Sequence, residues 1–381
     1  MKKVSLWIHI PLGLLVKWFS FFKGQRIKPK LRINGPAITL SNHTSFYDFL
    51  YTYSAIYPHR SNYLAAMKMF YQPFLKGVLN LSHAIPKALL QTDTQATIKS
   101  FRVLKRNGIL SIFPEGQISM TGVFMPPNHA VAKLIKKAGV DVYFIKHHNA
   151  YMVNPPWTRK SFRGRIITTI EKYDKADIKN DSVDRIYQKV VDHLSYDPYL
   201  YNQMHQHKYR LNDIAGLEHI CYTCPTCLKE GLTASKHDLV CPFCLTTFRY
   251  NQYGGLGQKS ISDFVNVSKQ VLIDAYQENH DYQLSSPCQL QMFRDNRIKV
   301  VGQGIITLNY HTYHYHGTID GSLTDLYFDP KDISSLPSDI GLNIQIYQGY
   351  QLHQFILEKP HMPTKFVLFG EYLHDLKQEQ L

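Results

Sequence analysis

The chain has 381 residues, 44% hydrophobic and 13% aromatic, which excludes a disordered or fibrous class and leaves room for two or three domains with at least one full core. A formal net charge of +14 is unevenly placed: residues 1–175 hold 26 Lys/Arg against 6 Asp/Glu, a net of +20, and the remainder 17 against 23, a net of −6. The first half therefore seeks an anionic partner, whether membrane surface, nucleic acid, or acidic protein or cofactor.

The chain begins MKKVSLWIHIPLGLLVKWFSFFKG, with basic residues ahead of a largely apolar run from Val4 to Phe22. No small-residue cleavage site follows before Lys23, so a signal peptide is not expected. His9, Pro11 and Lys17 interrupt the roughly 20 apolar residues that a spanning helix needs. With Trp7, Trp18 and flanking lysines, residues 1–24 read first as a helix lying in the membrane interface. A spanning helix and an ordinary packed helix stay open.

A turn at Asn34-Gly35-Pro36 precedes a buried strand, Ala37 to Leu40. DFLYTYSAIY and TQATIKSFRVLKRNG carry helical spacing, the latter stopped by Gly108. ILSIF is an apolar strand running into Pro114-Glu115-Gly116, and NHAVAKLIKKAG a helix ended by Gly139. VDVYFIKHH and GRIITTIEKY read as two further strands, and Asp184 to Tyr196 as the last helix. This alternation predicts an α/β domain over residues 25–215, a mixed sheet flanked by helices. Beyond it, ISDFVNVSKQVLIDAYQEN is helical. Short alternating strands and a closing helix, KFVLFGEYLHDLK, then predict a small β-rich domain over 251–381, similar to pleckstrin-homology barrels.

Two strand ends attract attention. In LSNHTSFYDFLY, Ser45-x-x-Asp48 fits a helix capping box, and an acid in a first turn favours the helix dipole. A second reading uses His43: if it ends the strand and Asp48 opens the helix, the carboxylate can accept the imidazole Nδ1–H across the bend and leave Nε2 to take a proton. Phe113-Pro114-Glu115-Gly116 sits at the end of another apolar strand, and ligand sites of α/β sheets collect at such ends.

Asn42-His43-x4-Asp48 followed by Phe113-Pro114-Glu115-Gly116, after an apolar N-terminal helix, resembles the glycerolipid (1-acylglycerol-3-phosphate) acyltransferase family over about residues 1–175. The resemblance implies direct acyl transfer from an acyl-CoA or acyl-ACP thioester to the hydroxyl of a lysophospholipid, without a covalent acyl-enzyme. It makes His43 the base and Asp48 its orienting partner. Glu115 and Gly116 would shape the acceptor site, and Lys87, in Ile85-Pro86-Lys87, would contact phosphate. The chain departs from the family where Thr-Arg-Ser usually follows the second motif. Gln117-Ile118-Ser119 stands there, and an isoleucine cannot make the bidentate contact of an arginine to phosphate. Val140-Asp141-Val142-Tyr143 likewise replaces a proline-containing strand motif. These changes leave acyl transfer intact and put the acceptor's identity in doubt. The family also implies a peripheral or monotopic protein on the cytoplasmic side of the cell membrane.

Five of the six cysteines lie between Cys221 and Cys244, a clustering that favours metal over disulfides and a reducing compartment. Cys224-Pro-Thr-Cys227, thirteen residues, then Cys241-Pro-Phe-Cys244 is the spacing of a closed four-thiolate site, and predicts a structural Zn²⁺ ribbon over 216–250 with Cys221 as a bystander. Residues 205–250 hold five Lys/Arg against four acids, so no phosphate-binding face is evident and no nucleic acid partner is expected. His205 with His207, and His314 with His316, are secondary metal candidates against a plainer reading as surface or packed histidines. A ribbon-based nucleic-acid adaptor and a catalytically idle lipid-binding relative are the competing functions.

Overall fold

The computed structural model describes residues 4–88, 93–210, 213–295, 297–349 and 351–379. The described residues form two units. One comprises residues up to Lys87, those from 93 to 210 and Gln252–Gly254; the other comprises Ala88, residues 213–251 and those from Gly255 on.

In chain order the first unit contains α1 (Leu6–Phe22), β1 (Gln25–Ile27), β2 (Ala37–Ser41), α2 (Asp48–Ile56), β3 (Ser61–Ala66), α3 (Pro73–Leu81), β4 (Ile85–Lys87), α4 (Thr94–Leu104), β5 (Ile109–Ile112), α5 (Ala130–Ala138), β6 (Asp141–His148), α6 (Ala150–Val153), β7 (Ile166–Tyr173), α7 (Lys175–Asn180), α8 (Val183–Leu194) and α9 (Pro198–His205). The strands form one mixed sheet of order β1-β7-β6-β2-β5-β3-β4. Strands β6, β2, β5, β3 and β4 are mutually parallel, whereas β7 runs antiparallel to β6 and parallel to β1.

The central strands β2 and β5 are buried on both faces, as a parallel strand covered by helices must be. Alternate side chains serve two cores. Ile38, Leu40, Leu110, Ile112, Val142 and Phe144 pack with Ala96, Ile135, Ile186 and Val190 on one side. Ala37, Ile109, Tyr143 and Ile145 pack with Ile33 and Ile56 on the other. Asp93 caps α4 by accepting from the Ala96 N–H, and Gly139, at φ +58°, ends α5 in the left-handed conformation that glycine reaches without strain.

Strands β2, β5, β6 and β7 stand where the periodicity places them. Strands β1, β3 and β4 and helix α3 escape that periodicity. Two of these strands have three residues each, too few to show an alternation, and β4 contains Pro86, which a sheet tolerates because β4 lies at its edge. Nor is α8 the last helix of this unit: Asp197 accepts from the N–H groups of Tyr199 and Leu200 and starts α9 after Pro198 sets its first turn.

Helix α1 turns small or polar residues inward, with His9, Gly13, Val16 and Ser20 buried. His9 bonds the Pro58 carbonyl at 2.9 Å and the Tyr53 hydroxyl at 2.6 Å. A β-carbon at Gly13 would lie 2.2 Å from the Tyr57 ring. The large apolar side chains, among them Trp7 at 92% exposure, Leu15, Trp18 and Phe22, face outward. Among the described residues no helix is long and apolar enough to cross a membrane.

In the second unit β8 (Thr233–Ser235), β9 (Asp238–Val240) and β10 (Thr247–Arg249) form a small antiparallel sheet. Then come α10 (Ile261–Glu278), β11 (Leu284–Arg294), β12 (Arg297–Leu308), β13 (Tyr313–Ile319), β14 (Ser322–Phe328), β15 (Ser338–Asp339), β16 (Asn343–Gln348), β17 (Gln351–Leu357) and α11 (Met362–Glu379). Their antiparallel sheet has the order β14-β13-β12-β11-β17-β16-β15. Ser260 and Asp263 close a full capping box on α10. The β11–β12 register shifts at Leu290/Gln291, a bulge beside Gly302, where a β-carbon would lie 1.6 Å from the Thr318 carbonyl oxygen.

Candidate active site

Strand β2 ends at Ser41, and Asn42 keeps the strand's pairing for one more residue with its side chain. Asn42 Oδ1 accepts from the His147 N–H at 2.8 Å and Nδ2 donates to the His147 carbonyl at 3.4 Å. The chain then turns sharply, and α2 opens at Asp48. Asp48 Oδ2 accepts three bonds: from the N–H of Thr44 at 2.6 Å, from the N–H of Ser45 at 2.7 Å, and from His43 Nδ1 at 3.3 Å.

The helix-cap and catalytic-base readings are thus partly the same geometry. Half of the capping box forms, in the bond from the Ser45 N–H to Asp48, but the reciprocal bond does not: Ser45 Oγ accepts from the Tyr47 N–H instead. Asp48 is fully buried while the His43 side chain stays 19% exposed. Nδ1 is engaged from behind, and Nε2 lies on the opposite edge of the ring, without a hydrogen-bond partner among the described residues. The imidazole also stacks on Phe113, with centroids 4.4 Å apart and the planes 27° from parallel.

The second motif clamps the same residue. The His43 N–H donates to Glu115 Oε1 at 2.7 Å, and the His43 carbonyl accepts from the Ser119 N–H at 2.9 Å. Glu115 Oε2 accepts from the Met125 N–H at 3.1 Å. Each oxygen of the Glu115 carboxylate thus accepts from a main-chain amide, and through Oε1 Glu115 positions His43. Burial pushes the Glu115 carboxyl up to about 8; the two N–H donors oppose the rise and the Asp48 charge adds to it. Gly116 follows at φ +79°, a turn conformation that a side chain would strain.

Lys87 ends β4 on the same edge of the sheet, but β5 and β3 stand between β4 and β2. Three strand spacings put it about 14 Å from His43 at sheet level, a gap that its side chain narrows without closing. Burial lowers its pKa, against the Asp93 charge, which raises it.

Behind His43 lies a polar network that the sequence reading missed. His147 is fully buried in β6, with Nε2 2.8 Å from Thr52 Oγ1 and Nδ1 3.0 Å from Thr168 Oγ1. Thr52 donates onward to Ser41 Oγ at 3.0 Å, and Gln25 Nε2 donates to Thr168 Oγ1 at 2.9 Å. Thr52, having given its proton to Ser41, accepts Nε2–H, and Nδ1 then accepts from Thr168. Burial drives the His147 pKa down to about 4, with the Asp48 charge opposing, so this imidazole is neutral. In the sequence His147 is only one of two adjacent histidines closing the strand after its apolar stretch Val142–Ile145, and nothing there ties it to Asn42 or Thr52.

In the second unit the Sγ atoms of Cys224, Cys227, Cys241 and Cys244 all lie within 4.8 Å of one another. Two of the separations are 3.7 Å (Cys224–Cys244) and 3.6 Å (Cys227–Cys241), close to the roughly 3.8 Å edge of a tetrahedron with 2.3 Å metal–sulfur bonds. Both knuckles are built alike. Leu228 and Leu245, each following the second cysteine of its pair, adopt φ +61° and donate to the carbonyls of Cys224 and Cys241. The donor set fits a closed four-thiolate metal centre, and Cys221 lies buried outside it. His314 Nε2 and His316 Nδ1 converge on Asp325 Oδ1 at 2.7 and 2.9 Å, a possible ligand group on the exposed face of β13 and β14. His205 instead bonds the Tyr201 carbonyl through Nδ1 and stacks on its ring.

Compared with known proteins, residues 22–146 match the Acyltransferase family. No curated protein matches the chain. Among solved structures, it is similar to the 1-acyl-sn-glycerophosphate (LPA) acyltransferase PlsC from Thermotoga maritima, at 14% identity and a TM-score of 0.43, over 52% of this chain and 81% of that one.

Proposed function

With residues 22–146 forming an Acyltransferase-family domain, we propose that the protein transfers a fatty acyl group from an acyl-CoA or acyl-ACP thioester to the hydroxyl of a lysophospholipid at a membrane surface. One observation carries this reading: a partly exposed strand-end imidazole whose Nδ1 is backed by a fully buried, triply engaged aspartate. His43 Nε2 takes the proton of the acceptor hydroxyl as its oxygen attacks the thioester carbonyl, and Asp48 holds the ring's orientation and stabilises the imidazolium. The carbon–sulfur bond breaks, and the proton returns from His43 to the departing thiolate. Glu115 and Ser119 fix the main chain of His43 so that the ring keeps one approach.

The outward apolar face of α1 supports docking on a membrane surface, the net +20 of residues 1–175 supports an anionic one, and the four cysteines support a structural Zn²⁺; the side proposed is the cytoplasmic one. For the C-terminal sheet, the strand order and the closing helix α11 support a fold similar to pleckstrin-homology barrels. The test is a labelled acyl thioester, offered on both carriers, with a panel of lysolipids. Transfer to at least one lysolipid is expected, and His43→Ala should lower its rate by about 10²–10⁴-fold. Transfer that survives this substitution, or its absence with every acceptor, overturns the reading.

A further inference from the structure

On the edge of the sheet that carries His43 lies an open pocket of about 400 Å³, lined by Gly24, Arg26, Gly164, Arg165, His207 and Lys208 together with Gln206. Its three contributing segments come from stretches without a single acid: residues 1–47, 142–170 and 198–212 contain no Asp or Glu. Among the described residues, Arg26, Arg165 and Lys208 form no ion pair, so three cations converge on one cavity without a protein counter-charge. The site is built as well as charged. Arg26 is held by bonds from Nη1 to the carbonyls of Phe21 and Gln25, with its guanidinium 4.3 Å over the Phe21 ring. Gly24, at φ +93°, and Gly164 let the leads into β1 and β7 approach, since a β-carbon on Gly24 would meet the Gly164 carbonyl oxygen at 2.0 Å. Burial, and next the Arg165 charge, lower the His207 pKa, a second sign of positive potential there. Such a cavity suits a phosphate.

Distance decides whose phosphate. The pocket opens at the starts of β1 and β7, two to three strands from β2, or about 10–14 Å from His43, and no residue of either motif lines it. In a lysolipid such as lysophosphatidate the phosphorus is about four bonds, roughly 5 Å, from the reacting hydroxyl. In a phosphopantetheine arm about thirteen bonds, roughly 15 Å extended, separate phosphorus from the thioester sulfur. We infer that this pocket holds the phosphate of a phosphopantetheine-linked acyl donor while its thioester reaches His43. The inference rests on the acyltransfer reading above and adds a donor subsite to it. Coenzyme A and the acyl carrier protein both present this phosphate.

Calorimetric titration of the full-length protein with 4′-phosphopantetheine, coenzyme A and phosphate-free pantetheine tests it without any acyl transfer. The two phosphate-bearing compounds should bind about tenfold or more tighter than pantetheine, and Arg26→Ala/Arg165→Ala should bring that ratio near one. Arg165→Ala alone, which leaves the Arg26–Phe21 contact in place, should lower the ratio part of the way. Equal binding of pantetheine and phosphopantetheine, or a ratio unmoved by both variants, overturns the subsite. So does displacement of phosphopantetheine by lysophosphatidate or by phosphatidylglycerol vesicles, which would assign the pocket to the acceptor or to the membrane. Failure of the unaltered protein to transfer acyl groups, with the phosphate ratio intact, would instead defeat the acyltransfer reading.

Discussion

His43 and Asp48 sit five residues apart yet do separable work. His43→Ala removes a ring that donates only one of the three bonds to Asp48 and should lower turnover with a smaller loss of stability than Asp48→Asn. Asp48→Asn, whose amide cannot serve as the shared acceptor in the same way, loosens the bonds from the Thr44 and Ser45 N–H groups as well, and should lower both turnover and melting temperature. Thermal melts beside rate measurements separate the two; an Asp48→Asn variant with unaltered melting would mean that the turn does not depend on the carboxylate. His147 makes a second residue-scale prediction. Its folded pKa of about 4 lies below the ordinary histidine value of 6.5, so on acidification the unfolded chain takes up a proton before the folded one does. Stability is therefore intact above pH 6.5 and falls between 6.5 and 4, by about 3 kcal/mol from this group. His148, pushed down to about 3 by burial and then by Lys146, steepens the same loss. All three tryptophans, Trp7, Trp18 and Trp157, lie in the first unit, so urea melts followed by their fluorescence should show the slope, partly flattened in His147→Asn. An identical slope in the variant would contradict a neutral buried His147. The motif residues were legible because their identity and order carry the signal; the Glu115–His43 amide bond was not, because it joins positions 72 residues apart.

At the scale of the element, α1 inverts the usual pattern, with small and polar residues inward and aromatics outward. Its span could be read from the apolar run. Which face turns inward could not, since His9 and Gly13 are recognisable as inner residues only once Tyr53, Tyr57 and Pro58 of α2 and its exit are in place. If the outer face docks on lipid, Trp7→Glu and Trp18→Glu should each weaken binding to phosphatidylglycerol vesicles by about tenfold or more in a flotation assay. Undiminished flotation of the double variant would assign that face another role. The short strands β1, β3 and β4 mark the limit of local reading: three to six residues acquire strand geometry from their neighbours in the sheet.

Across the larger assembly of elements, the ribbon and the closing helix of the second unit are tied together. Lys365 on α11 bonds Glu230 at 2.6 Å, Thr364 Oγ1 donates to the His219 carbonyl at 2.8 Å, and Tyr222 stacks on His361. Loss of metal should therefore be felt beyond the cysteines. If the four thiolates hold zinc, Cys241→Ser should lower the bound metal to near zero and raise hydrogen exchange both around residues 220–245 and at the start of α11. Exchange confined to the knuckles would show that the ribbon folds apart from α11.

Taken alone, the sequence determined whatever is written in identity and short spacing: the paired Cys-x2-Cys turns, the two motif blocks, the α/β alternation and the long strands and helices. Tertiary structure alone decided which polar groups meet. It set Glu115 against the His43 amide, placed Lys87 three strands from β2, set His147 behind the site and gathered Arg26, Arg165 and Lys208 around one pocket. The physical reason is that periodicity and propensity act within a few residues of chain, whereas hydrogen bonds and charge clusters depend on distances that sheet order sets between segments far apart in sequence.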